Sequence, residues 1–390
     1  MADSALRVAL LVKALPLHHP GGQEHHTWTL ARGLARAGHR VTAVTTAHPG
    51  GVESLSVDGV AIQFLRGTSP GRNSWGFFTQ MARWVRLFDG EFDVFHSQGF
   101  AAMRARPVRT PLVTTVHGTV WSETPLARQV WPLLTRREKL AALWRFKGRT
   151  VLGPLAHAQW HRAARLLCDS EFTRGELLQL ESAWADRIDV VPLGQDLPAP
   201  VERDPPETVI ALLSVGRLER VRGLADLLEA LARLRERGRF HLTVVGDGPD
   251  RRRIECLIGS RGLGGQVTLT GRVDGATLAG LWRRADLFVN PEWSQPAFGL
   301  VSLEALAWGV PVLGTRTGAT PEIVTPATGW LVSPRQPDAL AEVLAEISGD
   351  PARLRAKASA CRTRAAEFPV ERMVQGTVDA YQRAMGRWPF

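Results

Sequence analysis

Short apolar runs recur along this chain, and each ends in glycine or polar residues before a helical stretch begins. In the first half they are Val8 to Val12, Val41 to Thr45, Val60 to Leu65, Asp93 to His96, Leu112 to Val116, Arg165 to Asp169 and Ile188 to Val191. The second half starts again with Val209 to Val215, Leu242 to Val245, Val267 to Thr270, Asp286 to Val289 and Val312-Leu313. Apolar runs separated by helical stretches read as buried strands of parallel sheets. Such a sheet gathers the carboxyl ends of its strands along one edge, where ligands bind. The expected class is α/β with doubly wound sheets.

At 390 residues the chain is too long for one ordinary core, so two domains are expected. The break falls in LPAPVERDPP, with Pro198, Pro200, Pro205 and Pro206, giving a first domain at 1–197, a linker at 198–206 and a second domain at 207–373. No apolar run reaches the roughly 18 residues that span a bilayer. The N-terminus reads as a first strand and not as a signal peptide. Cys168, Cys256 and Cys361 have no paired spacing, which favours a reducing, cytoplasmic setting over a disulfide or zinc framework. The net charge of +10, carried almost wholly by arginine, has two readings: attraction to anionic partners, or GC-rich coding sequence.

Three segments leave alternatives open. Trp75 to Phe88 puts Phe77, Met81, Trp84 and Phe88 on one helical stripe, facing either a core or a membrane surface. From Trp121 to Arg165, tryptophans alternate with arginines and lysines. That segment suits an anionic lipid surface, a single-stranded nucleic acid, or a solvated face with tryptophans packed inward. His18, His19, His25 and His26 cluster, as metal ligands or as loop histidines.

The strand ends hold the functional candidates. Gly21 and Gly22 sit where a loop meets a helix running from about Glu24 to Ala37, which suits a phosphate or a plain tight turn. His117-Gly118 ends a strand, as a ligand contact or a satisfied turn histidine. Arg217 and Arg222 flank the start of one helix and can grip a diphosphate together. In DLFVNPEWSQPAFGLVSLE, a strand leads through a loop to a helix from Leu300 to Trp308. The free N–H groups of Leu300 and Val301 suit a phosphate. Glu304, one turn on, can accept hydrogen bonds from ligand hydroxyls.

Taken in order, GGQE, TVHGT, CDSEFTRGEL, VPLGQD, SVGRLERVRG, VVGDGP, LTGRV, FGLVSLEALAWGVPV and TGATPEIV resemble the retaining glycosyltransferase family numbered four. The likeness covers nearly the whole chain. It implies the GT-B fold: two Rossmann-like domains facing across a cleft, with the last helix, about 374–390, crossing back to the N-terminal acceptor domain. It implies sugar transfer from a nucleotide-sugar, UDP expected over GDP, to a saccharide or lipid-linked acceptor with retention. Envelope, exopolysaccharide or glycolipid synthesis is the expected setting, in the cytoplasm or at the inner membrane face. Neither metal, cofactor nor nucleic acid is expected. By the same resemblance, Arg217 and Arg222 hold the diphosphate, and Gly21, Gly22, Gly246, Phe298, Gly299, Leu300 and Val301 belong to the donor site. Glu304 takes the ribose, Arg272 lines the base pocket, and His117 contacts the donor sugar. The family places a glutamate eight residues before the one matching Glu304, where this chain has Pro296. Glu292 or Gln295 is the expected substitute as a sugar contact. The alternative is a catalytically inactive GT-B protein that binds nucleotide or a partner enzyme.

Overall fold

The computed structural model describes residues 5–19, 21–119, 153–201 and 209–387. It divides into two compact units, one of residues 1–194 with 370–390 and the other of residues 195–369.

The first unit holds an eight-stranded sheet. Its strands are β1 (Arg7–Leu11), β2 (Arg40–Thr46), β3 (Ser54–Val57), β4 (Val60–Leu65), β5 (Val94–Gln98), β6 (Leu112–Val116), β7 (Arg165–Cys168) and β8 (Ile188–Val190). The order is β3-β4-β2-β1-β5-β6-β7-β8, with only the edge strand β3 antiparallel. β5, β6 and β7 are buried along their whole length, as helices covering both faces of a parallel sheet require.

The second sheet contains β9 (Ile210–Val215), β10 (Phe240–Val245), β11 (Val267–Gly271), β12 (Leu287–Asn290), β13 (Val312–Thr315) and β14 (Gly329–Val332). Its order, β11-β10-β9-β12-β13-β14, is the doubly wound 3-2-1-4-5-6 arrangement, and all pairings are parallel. Each sheet reverses winding once, between β1 and β5 and between β9 and β12. Loops leave those neighbours in opposite directions, so a crevice opens there.

The last helix, Val370–Arg387, belongs to the first unit. Its Val370, Met373, Val374, Val378, Tyr381 and Ala384 join one core with Leu30, Ala31 and Leu34 of the helix Gly22–Arg36. Gly33 permits the approach, because a Cβ there would lie 2.5 Å from Val374.

The stripe on Trp75–Leu87 faces the core: Phe77, Met81 and Trp84 are buried, and Ser74 caps the helix by accepting from the Phe77 N–H. Most of the tryptophan- and arginine-rich segment, including Trp121, Trp131 and Trp144, lies outside the described residues. At its described end Trp160 is buried, and Arg165 is buried against Asp189 through paired bonds of 2.6 and 2.7 Å. Pro205 and Pro206 of the proposed linker also lie outside the described residues. Among the described residues no helix is long and apolar enough to cross a membrane.

Candidate active site

At the carboxyl ends of β9 and β12 lies an open cavity of about 380 Å³, lined by Ser214, Arg217, Arg222 and Asn290 among others. Close backbone approach shapes it. Gly246 has φ +129°, and a Cβ on it would fall 1.9 Å from the Gly216 carbonyl oxygen. Gly223, at φ +67°, starts the helix Leu224–Arg233, and a Cβ there would meet the Pro291 oxygen at 1.8 Å. Only glycine combines left-handed backbone with that contact. The loop after β12 is thus pressed onto the turn after β9. The Trp293 N–H donates to the Val221 carbonyl at 2.7 Å, and its indole Nε1 donates to Asp226 at 2.6 Å. Burial raises the Asp226 carboxyl above its usual range, against that bond and nearby arginines.

Arg217 is two-thirds exposed, with Nε 3.2 Å from Glu219. Arg222 is part-exposed, and its Nη1 lies 2.9 Å from the buried Glu292 carboxylate. Glu292 also accepts from the Ser294 hydroxyl. The Glu292 carboxylate, expected as a sugar contact, is thus buried and paired with Arg222. Gln295 is exposed, but its carbonyl oxygen accepts from the Gly318 N–H. That bond ties the side-chain oxygen to the loop at Gly318. Pro296 takes part in the same turn: its carbonyl accepts from the Ala319 N–H at 2.9 Å, and a Cβ on Gly318 would strike it at 2.3 Å.

The helix Leu300–Ala307 begins after Gly299, whose φ is +97° and which supplies no side-chain cap. Among the described residues the Leu300 and Val301 N–H groups have no acceptor, so the helix offers an uncapped, electropositive end. Glu304 keeps some exposed surface, yet no hydrogen bond or ion pair reaches its carboxylate among the described residues. Loss of water around it pushes its pKa up to about 7. Phe298 is buried edge-on against Phe368, with ring centroids 5.7 Å apart. Its side chain belongs to the core of the second unit. Arg272 is exposed just past β11, next to Gly271, whose carbonyl accepts from the Gly246 N–H at 2.8 Å.

In the first unit the ends of β5 and β6 carry a chain of polar side chains. His117 Nδ1 lies 2.8 Å from Asp169 and its Nε2 2.9 Å from the Gln98 carbonyl oxygen. Gln98 Nε2 donates to His96 Nε2 at 3.2 Å, which also meets the Thr115 hydroxyl at 2.7 Å. His96 Nδ1 then donates to the Tyr381 oxygen at 2.7 Å. With this orientation of the Gln98 amide, both nitrogens of His117 face oxygen atoms. His96 is buried and its pKa is pushed down to about 3. His26 is buried edge-on to His117 at 5.2 Å, its pKa also about 3, chiefly through burial and then the neighbouring His117. Both its ring nitrogens lack hydrogen-bond partners. The four clustered histidines of the sequence do not converge; His26 instead meets His117 and Asp169.

A cavity of about 500 Å³ opens beside His117, lined also by Lys13, Gln23, Asn73 and Gln98. Gly22 is the first residue of its helix, and open space lies where its Cβ would be. Gly21 is extended, at φ −170°, and caps the helix without a side chain. Glu24 is buried and pairs with Lys13 at 3.3 Å. Sequence reasoning assigned no role to Asp169, His96 or Tyr381. Asp169 stood in view, at a strand end just before the helix cap Ser170.

The family model described as Glycosyltransferase Family 4 matches residues 20–198, and that described as Glycosyl transferases group 1 matches residues 200–367. A D-inositol 3-phosphate glycosyltransferase from Pseudarthrobacter chlorophenolicus is 30% identical, over 98% of this chain and 96% of its own. Sucrose-phosphate synthase from Thermosynechococcus elongatus superposes with a TM-score of 0.78 at 22% identity, over 96% of this chain and 98% of its own. Anabaena HepE, solved in complex with UDP and glucose, gives a TM-score of 0.72 at 18% identity, over 96% of this chain and 98% of its own.

Proposed function

This chain belongs to glycosyltransferase family 4, the group 1 glycosyl transferases, and from that premise we propose that it transfers a sugar from a UDP-sugar to a hydroxyl of a saccharide or lipid-linked acceptor, with retention at the anomeric carbon. The observation that carries this reading is the edge of the second sheet. Two arginines, two free helix N–H groups and an unpaired carboxylate lie at the ends of β9 and β12. Arg217, Arg222 and the helix end meet the diphosphate, while Glu304 accepts from the ribose hydroxyls. UDP is favoured over GDP by the UDP-bound relative.

Bond breaking at the anomeric carbon leaves negative charge on the diphosphate. Fixed donors that meet this charge lower the barrier without reorganising. The acceptor hydroxyl then attacks from the face the diphosphate leaves, its oxygen bonding the anomeric carbon while its proton passes to the departing diphosphate oxygen. The arginines and the helix end supply the positive charge, so no metal requirement is expected. His117, held by Asp169 and Gln98, meets the hydroxyls of the transferred sugar. Assembly of a cell-envelope glycan or glycolipid is the setting we propose, and the relative that acts on D-inositol 3-phosphate by name makes a small phosphorylated polyol a further acceptor to screen.

The test is titration calorimetry with UDP and GDP. Arg217→Ala is expected to weaken UDP about 10–150-fold, because a charged hydrogen bond contributes about 1.5–3 kcal/mol. Unchanged affinity for both nucleotides would sink the site. Pro296 in place of a glutamate favours a second reading, a GT-B protein that binds nucleotide without turnover. Nucleotide binding with no transfer or hydrolysis across a panel of sugar donors selects it.

A further inference from the structure

Away from both strand edges, the helix of residues 153–162 carries His157 and His161 one turn apart. Their ring centroids are 4.6 Å apart. Glu181, which ends the helix Glu171–Leu180, comes from a different element. His157, His161 and Glu181 each bring one ligating atom to within 4.8 Å of the other two. Among the described residues none of the three side chains makes a hydrogen bond or an ion pair. Both rings rest on Trp184, at 5.0 Å each, and Trp184 is itself buried against Trp160 at 6.0 Å.

We propose that His157, His161 and Glu181 bind a divalent transition-metal ion of the zinc, cobalt or nickel class. Two imidazoles and a carboxylate form the set such ions take, with water completing a tetrahedral site. Histidines four apart on a helix present nitrogens on one face. Tetrahedral coordination at Zn–N of about 2.0–2.1 Å sets ligand atoms about 3.3 Å apart, so the three groups close inward slightly. His161 is exposed and His157 and Glu181 are part-exposed, and rotation of these side chains supplies that movement. The ion ties the 153–162 helix to the corner at Glu181.

A second group of ligating atoms, His26, His117 and Asp169, lies at the end of β6. There both ring nitrogens of His117 already have partners, and an ion would have to break those bonds. The outer cluster has no such cost.

The experiment is a Co²⁺ titration of the whole chain, followed by visible absorption, with Zn²⁺ as competitor. Wild-type protein is expected to bind one ion with the intense bands of tetrahedral Co²⁺ and to gain melting temperature with added Zn²⁺. His161→Ala and Glu181→Gln change part-exposed or exposed groups and leave the fold intact; each is expected to weaken Co²⁺ at least about tenfold. His157→Ala with His161→Ala abolishes the bands. Absence of a bound ion, bands unchanged in both single variants, or bands lost in His26→Ala instead, each overturns the proposal. UDP affinity is expected to stay at the wild-type value in His161→Ala, so failure of the metal site and failure of the transferase reading are told apart.

Discussion

The two strand edges are built from opposite materials. At β9 and β12 the backbone does most of the shaping: Gly223 and Gly246 admit contacts that no Cβ allows, and the helix after Gly299 presents bare N–H groups. The side chains there are exposed arginines and one unpaired carboxylate. At β5 and β6 the shaping is done by side chains bonded to one another, from Tyr381 through His96 and Gln98 to His117 and Asp169. An anionic ligand such as a diphosphate is served by fixed backbone dipoles and part-exposed arginines. A single imidazole that must sit in one place is served by a network that holds both of its nitrogens, although the second Asp169 oxygen stays buried without a partner among the described residues.

The comparison breaks first, and hardest, at Gly223. Gly223→Ala forces a Cβ against the Pro291 carbonyl and a left-handed backbone that costs about 1–2 kcal/mol by itself. The second unit is expected to lose several kcal/mol and all UDP binding, seen as an early melting transition by calorimetry. A wild-type melt would show that the loop after β12 yields freely.

A smaller effect tests the other edge. Asp169→Asn leaves the shape but removes the charged acceptor of His117 Nδ1. Transfer rate is expected to fall about tenfold, the order of one charged hydrogen bond, with UDP affinity unchanged. A loss confined to UDP affinity would place His117 on the nucleotide and erase the division of labour.

The smallest effect concerns Glu304. Its folded pKa, about 7, lies above the ordinary value of 4.5. A raised folded pKa means stability is greatest below pH 4.5 and declines as pH climbs through 7. Glu304→Gln is neutral throughout, so it should melt higher than wild type at pH 8, by about 2–4 °C for each kcal/mol relieved. The two should converge near pH 4. UDP should bind the variant less well at pH 8, because a carboxylate accepts hydroxyl bonds more strongly than an amide. A pH-independent difference in melting would mean the carboxylate is well solvated.

Much of this was legible along the chain because it is local. The apolar runs at Val8, Leu112 and Val312 name their strands, and the winding follows from short right-handed crossovers. Helix ends announce themselves through glycine: the free N–H groups at Leu300 and Val301 need only sequence neighbours. The packing of Phe298 is nonlocal, since its ring meets that of Phe368. The pairing of Glu292 is nonlocal likewise. Nothing near it in sequence shows that Arg222 would claim its carboxylate. His96 and Tyr381, which meet through 285 positions of separation, share no pattern that a single sequence displays.

The sequence by itself determined which segments are strands, where each unit has its ligand edge, and which residue types stand there, because those follow from hydrophobic burial and backbone geometry within a few residues. Only the tertiary structure decided which charges stay free. Arg222 is held by Glu292, His117 is held by Asp169 and Gln98, and Glu304 is left with no partner among the described residues. The physical reason is that a side chain's availability depends on its nearest polar neighbours in space, and packing, not chain order, selects those neighbours.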